Sequence, residues 1–182
     1  MLKEKSEFPK NFLPISLKTG LLSAFIMMIF NVINYLIFGS ASRPVLLWNH
    51  MLLFVVMFVA VKSYRKQLEG FINFKQCYIS GLFNGIFASF FFAVFVYFNT
   101  KFIDKELIKN FISINEVAMN QYISGEELHR QTDILYRFST PFFMGIRAAG
   151  ELILISIFLP LLMSIFLKRE RKTEEVANSN DE

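Results

Sequence analysis

In a chain this apolar, the residues able to do chemistry are the few that lipid disfavours. Arg147 and Glu151 stand four apart in the apolar run 142–167, hence on one face of a helix and able to pair. With residue 167 at one membrane edge, a rise of about 1.5 Å per residue sets Glu151 about 24 Å and Arg147 about 30 Å away, in a hydrocarbon core of about 30 Å. The same ruler sets Asn31 and Asn34 about 18 and 22 Å along the run 19–38, and Asn49 and His50 about 18 and 16 Å along the run 45–61. All these polar side chains thus fall in one half of the membrane. Two uses are open to them. In the first they hydrogen-bond across helices and hold the bundle together, at about 1 kcal/mol each. In the second they line a polar pocket open to the outside, with Glu151 as a titrating or ligand-binding carboxylate, Arg147 as its counter-charge and His50 as a proton partner. The first use is the expectation.

Other chemistry finds no footing. His50, His129 and Cys77 are the only His and Cys residues, too few for a His- or Cys-rich metal site and insufficient for an internal disulfide. No Gly-rich phosphate loop and no nucleophile elbow occur, so an enzyme, a cofactor and a bound metal are not expected. The net charge of +4 is not gathered on one basic face, so nucleic acid is not an expected partner either. Inverted repeats with broken helices would mark a transporter, and the only interruption is Pro160, which can kink the last helix.

The elements that must position these residues follow from composition. With 54% hydrophobic and 16% aromatic residues in a chain of 182, the apolar excess exceeds what an ordinary soluble domain holds. The pattern predicts an all-α membrane protein with four transmembrane helices at 19–38, 45–61, 77–98 and 142–167. The first has the form of an uncleaved signal anchor. Gly39-Ser40-Ala41 looks like a cleavage site, but the apolar run before it exceeds the roughly 7 to 15 residues of a signal h-region. The second, with 17 residues, is at the lower limit for crossing, which leaves a re-entrant hairpin as its alternative. Thr140 and Pro141 supply a cap and a first-turn proline for the fourth. In the third, Gly81 and Gly85, extended by Ser89, form a small-residue stripe for close helix packing, either within the chain or at a homodimer seam; Asn84 beside it serves as interhelical glue.

Lys and Arg set the expected orientation. Lys3, Lys5, Lys10 and Lys18 lie in segment 1–18; Lys62, Arg65, Lys66 and Lys75 in loop 62–76; Lys168 and Arg169 open the tail 168–182. These segments are expected in the cytoplasm, their basic side chains facing anionic headgroups, with Tyr64, Phe71 and Phe74 at the interface. The segment 99–140 is near neutral and belongs outside. It carries Ile103, Leu107, Phe111, Ile114, Ala118 and Tyr122 at helical spacing, the stripe of an amphipathic helix. A second short helix follows, with Ser124 and Glu127 as a capping box and Leu128, Leu135 and Phe138 on its apolar face. Both helices are expected to cover the membrane surface or the ends of the bundle, with a partner-docking or lid element as the alternative. Residues 173–182 are polar and expected to be disordered.

The stretch Val61-Lys62-Ser63-Tyr64-Arg65, followed by Gly70-Phe71-Ile72-Asn73-Phe74-Lys75-Gln76 and Gly81, resembles the central signature of a bacterial membrane family known as domain of unknown function 4199. The resemblance extends to the long outer segment, the acid Glu151 in the last helix and the basic end Lys168-Arg169, roughly residues 21–169. It implies a four-helix protein of the bacterial inner membrane and gives no activity. The expected function is therefore a non-enzymatic accessory or structural membrane component. Its expected partners are lipids and a larger membrane complex or a second copy of the chain. The alternative is a small oligomeric transporter or channel with an outward-facing pocket around Glu151.

Overall fold

The computed structural model describes residues 12–39 and 44–169. Lys3, Lys5, Lys10, the turn with Ser40, Ala41 and Arg43, and the tail 170–182 lie outside the described residues. The chain forms α1 (Phe12–Phe38), α2 (Pro44–Gln67), α3 (Phe74–Phe98) with a π-helical turn Asn99–Ile103, α4 (Leu107–Met119), α5 (Glu126–Phe138) and α6 (Pro141–Leu167). Three helices, Phe12–Phe38, Phe74–Ile103 and Pro141–Leu167, are long and apolar enough to cross a membrane, and the protein is a multi-pass membrane protein. Among the described residues there is no strand, only one isolated antiparallel bridge between Ile72 and Arg169.

Each long helix outruns the apolar run that announced it. α1 is described from Phe12, upstream of the apolar run that begins at residue 19, and includes Pro14. α2 runs on to Gln67, so Lys62, Arg65 and Lys66 ride its last turns and the loop shrinks to about six residues before Phe74. Asn73 caps α3 with a capping box: Gln76 N donates to Asn73 Oδ1 at 2.8 Å and Asn73 N donates to Gln76 Oε1 at 3.1 Å. Asn73→Ala should cost about 1 kcal/mol, read as a lower melting temperature in mild detergent; an unchanged value would show the box to be idle. Phe143 N donates to Thr140 Oγ1 at 3.2 Å, and Pro141 opens α6 behind that cap.

α3 is the central helix, with α6, α1 and α2 packed around it. α1 and α2 are antiparallel: the rings of Phe12 and Tyr64 meet edge-on near one end, and Asn31 meets Asn49 toward the other. α3 and α6 are also antiparallel and close. A β-carbon on Gly81 would stand 2.7 Å from Pro160 Cβ, one on Gly85 would overlap the Ser156 side chain, and one on Gly145 would stand 2.9 Å from the Ala93 carbonyl oxygen. The small-residue face of α3 is thus filled by the chain's own α6. Hydroxyls in this interface bond back to their own helix, Ser89 to the Gly85 carbonyl, Ser156 to that of Leu152 and Ser164 to that of Pro160. They satisfy themselves and add no bulk. Outside this core the long helices expose Leu22, Phe25, Ile33, Leu36, Phe90, Leu154, Phe158 and Phe166, an apolar exterior that lipid solvates.

Outside the bundle, α4 and α5 pack on each other. The predicted stripe is only partly in register. Ile103 falls in the π-helical turn and Tyr122 beyond the end of α4, 86% exposed, because the turn at Asp104 breaks the phase between Ile103 and Leu107. The buried residue of α4 is Ile112. The Ser124–Glu127 capping box does not form. Gly125, at φ 65°, turns the chain and becomes the N-cap residue itself, leaving Ser124 one position too far upstream. Glu127 instead accepts from Gln131 Nε2 at 2.8 Å and Arg130 Nη2 at 3.1 Å, and the Gln131 amide foremost holds its carboxyl below the ordinary range. Phe138 is exposed.

Candidate functional site

The polar side chains of the long helices separate into two groups on either side of α2. On α6, Arg147 Nε and Glu151 Oε1 form an ion pair at 3.0 Å across one turn, with 35% and 31% of the side chains exposed. The Arg147 guanidinium also lies over the Phe111 ring of α4, 4.2 Å from its centroid. This contact clips the α4–α5 hairpin to the bundle. His50 lies on α2, which also packs against α6. The structure therefore brings Arg147, Glu151 and Phe111 into one neighbourhood.

Asn49, one residue before His50, points elsewhere, because successive positions on a helix are about 100° apart. It is buried against α1, where Asn31 Nδ2 donates to its Oδ1 at 2.8 Å and to the Met27 carbonyl at 2.7 Å. Asn34 Nδ2 donates to the Phe30 carbonyl of its own helix at 3.1 Å and does not join either group. Asn84, fully buried on α3, accepts from Ser23 Oγ of α1 at 3.4 Å. The amide pair ties α1 to α2, and the ion pair of α6 faces Phe111 of α4. Chemically the pair offers a carboxylate and a fixed cation, each about one third exposed, on one face of α6. Among the described residues no three His, Cys, Asp or Glu side chains converge to hold a metal ion.

At the other end of the bundle the basic residues are more ordered than loose charges. Arg65 Nε donates to the Gly70 carbonyl at 2.8 Å, and the turn between them takes positive φ at Glu69 (56°) and Gly70 (85°). Ile72 and Arg169 exchange backbone hydrogen bonds at 2.9 and 2.8 Å, which sews the end of α6 to the start of α3. The Arg169 guanidinium lies 5.9 Å from the Phe71 ring centroid, and Lys62 Nζ lies 4.6 Å from that of Phe58. Lys66, Lys75 and Lys168 are exposed. Tyr64, expected at the membrane interface, is fully buried, because it continues the inward face of Met57, Val61 and Leu53 on α2. The Ile72–Arg169 bridge left no trace in the side-chain pattern, since it is made by backbone atoms alone. The Phe111–Arg147 contact had a signal, an aromatic on the stripe of α4 and an arginine at the mouth of α6, that only the closure of the chain could join.

The residues that make this end, from Tyr64 to Gln76, and the Arg147–Glu151 pair lie within one matched region. No curated protein and no solved structure matches the chain. The sequence model of the family described as "Protein of unknown function (DUF4199)" matches residues 18–169, and the chain belongs to that family.

Proposed function

We propose that this protein is a non-enzymatic accessory component of the inner membrane, crossing it four times with both ends in the cytoplasm, and that it presents the α4–α5 hairpin outside to a larger membrane complex. A fourth crossing is supported by α2, 24 residues and about 36 Å long with its basic residues at one end, packed antiparallel beside α1. The basic residues of α2, of the loop after it and of the end of α6 share one side, which favours the cytoplasm for that side. The observation that carries the accessory role is the hairpin. It packs on itself, meets α6 through Arg147 over Phe111, and exposes Val117, Ile134, Tyr136 and Phe138. An apolar surface held out on a clip suits a partner better than it suits catalysis.

The test is affinity purification from the native host in mild detergent with a C-terminal tag, cross-linking and mass spectrometry. The expected result is a stoichiometric protein partner cross-linked to α4 or α5. Phe111→Ala should release that partner while the purified protein keeps its melting temperature within a few degrees. Recovery of the chain alone would sink the proposal. A second reading, a small oligomeric transporter, is favoured by one observation, the Arg147–Glu151 ion pair at 3.0 Å on a helix apolar enough to cross a membrane.

A further inference from the structure

The side of the bundle opposite α4–α5 gathers Lys62, Arg65 and Lys66 from α2, Lys75 from the first turn of α3, and Lys168 and Arg169 from the end of α6. Glu69 is the only acid in segments 62–76 and 168–169. Topology alone would ask for positive charge here without ordering it. In this chain two guanidiniums have partners: Arg65 Nε donates to the Gly70 carbonyl at 2.8 Å, and the Arg169 guanidinium lies 5.9 Å from the Phe71 ring centroid, while paired bonds with Ile72 hold the backbone of residue 169. Gly70 and Phe71 are consecutive, so the partners of the two guanidiniums belong to one turn of the chain. One turn back along α6, Phe166 and Ile165 face outward and apolar.

We propose that Arg65 and Arg169, with Lys75 and Lys168 beside them, form a discrete site for the phosphate headgroup of an anionic phospholipid whose acyl chain runs along Phe166. Guanidinium forks match phosphate oxygens two at a time, which ammonium groups do not. The main chain at residue 169 is already fixed and Arg65 Nε is already bonded, so binding has only the remaining side-chain freedom to order. The exposed α6 side chains are the lipid-facing surface of the bundle, so headgroup and tail each meet matching chemistry.

The full chain is reconstituted in nanodiscs of phosphatidylcholine and phosphatidylglycerol in equal amounts, extracted in mild detergent, and its retained lipids counted by native mass spectrometry. Phosphatidylglycerol should be enriched on the unaltered chain. Arg169→Gln should reduce that enrichment about fivefold. Arg169→Lys should lose most of it too, whereas Lys66→Gln, which removes the same charge from an exposed side chain, should keep it. Residue 169 bridges through its backbone, so these variants should melt like the unaltered chain in pure phosphatidylcholine. No enrichment, equal losses at Lys66 and Arg169, full retention by Arg169→Lys, or a lower melting temperature of Arg169→Gln in phosphatidylcholine would each overturn the site. Displacement of the lipid by inorganic phosphate would overturn the lipid as its ligand.

Discussion

Gly85→Val should abolish recovery of folded protein. A single β-carbon at residue 85 already overlaps the Ser156 side chain and comes within 3.2 Å of Met57 Cε, and valine adds two methyl groups to it. The obstruction on the α6 side is Ser156 Cβ, which cannot move unless its backbone does. α3 and α6 would have to separate along the most extensive contact of the bundle. Overpacking a core typically costs about 1–3 kcal/mol, and an obstruction this close to backbone belongs at the top of that range or above it. Against a total stability of about 5–15 kcal/mol that is a large share. Fluorescence-detected size exclusion should show a monodisperse peak for the unaltered chain, a weakened one for Gly85→Ala and aggregate for Gly85→Val. Ser156→Gly should partly rescue Gly85→Ala by vacating the space. Gly150, with nothing near its missing β-carbon, is the control, and Gly150→Ala should be neutral or slightly stabilising. A folded Gly85→Val that had merely lost self-association would instead make this face a seam between copies.

The contrast between Gly85 and Gly150 shows how far sequence alone reaches. Spacing marks Gly81 and Gly85 as one stripe, because positions four apart share a helix face, but not that Pro160 and Ser156 fill it; that depends on which helix returns beside α3. The membrane character and the all-helical fold were legible because they are properties of composition and period. Caps were legible where side chain and backbone are local, as at Thr140 and Pro141, and misread where one glycine decides, as at Gly125. Helix ends were read short at Lys62 because charge looks like loop, although long basic side chains ride a helix end into the headgroups at little cost. The basic neighbours Lys62 and Arg65 suggest an interfacial Tyr64, whereas its helical phase with Met57 and Val61 turns it inward. In the candidate site, the spacing of Arg147 and Glu151 was on the page, and Phe111 above them was not. A contact between α4 and α6 requires the whole chain to be closed.

Glu151→Leu should destabilise the protein more than Arg147→Leu, and the double variant should be more stable than either. The pair sits at 3.0 Å with about a third of each side chain exposed, near the edge of the apolar layer. Removing one member of a buried pair costs about 3–5 kcal/mol, and this exposure reduces it to about 1–3 kcal/mol. The two losses are unequal because an orphaned carboxylic acid can take a proton and sit neutral, whereas an orphaned guanidinium keeps its charge with only the Phe111 ring beside it. Two leucines remove both charges and pack as lipid does, so the double variant should return close to the unaltered melting temperature. Independent, additive losses would show that the two side chains act separately. The same variants divide the two functional readings. An accessory component should keep its partner in the folded double variant and in Glu151→Gln, since the pair then only shapes the bundle. A transporter should keep its fold and lose its activity in both, and proteoliposomes loaded with a pH-sensitive dye should show a proton flux in the unaltered chain that Glu151→Gln removes. Flux of that kind would overturn the accessory role, because a carboxylate that serves only to pair with Arg147 has no proton to carry.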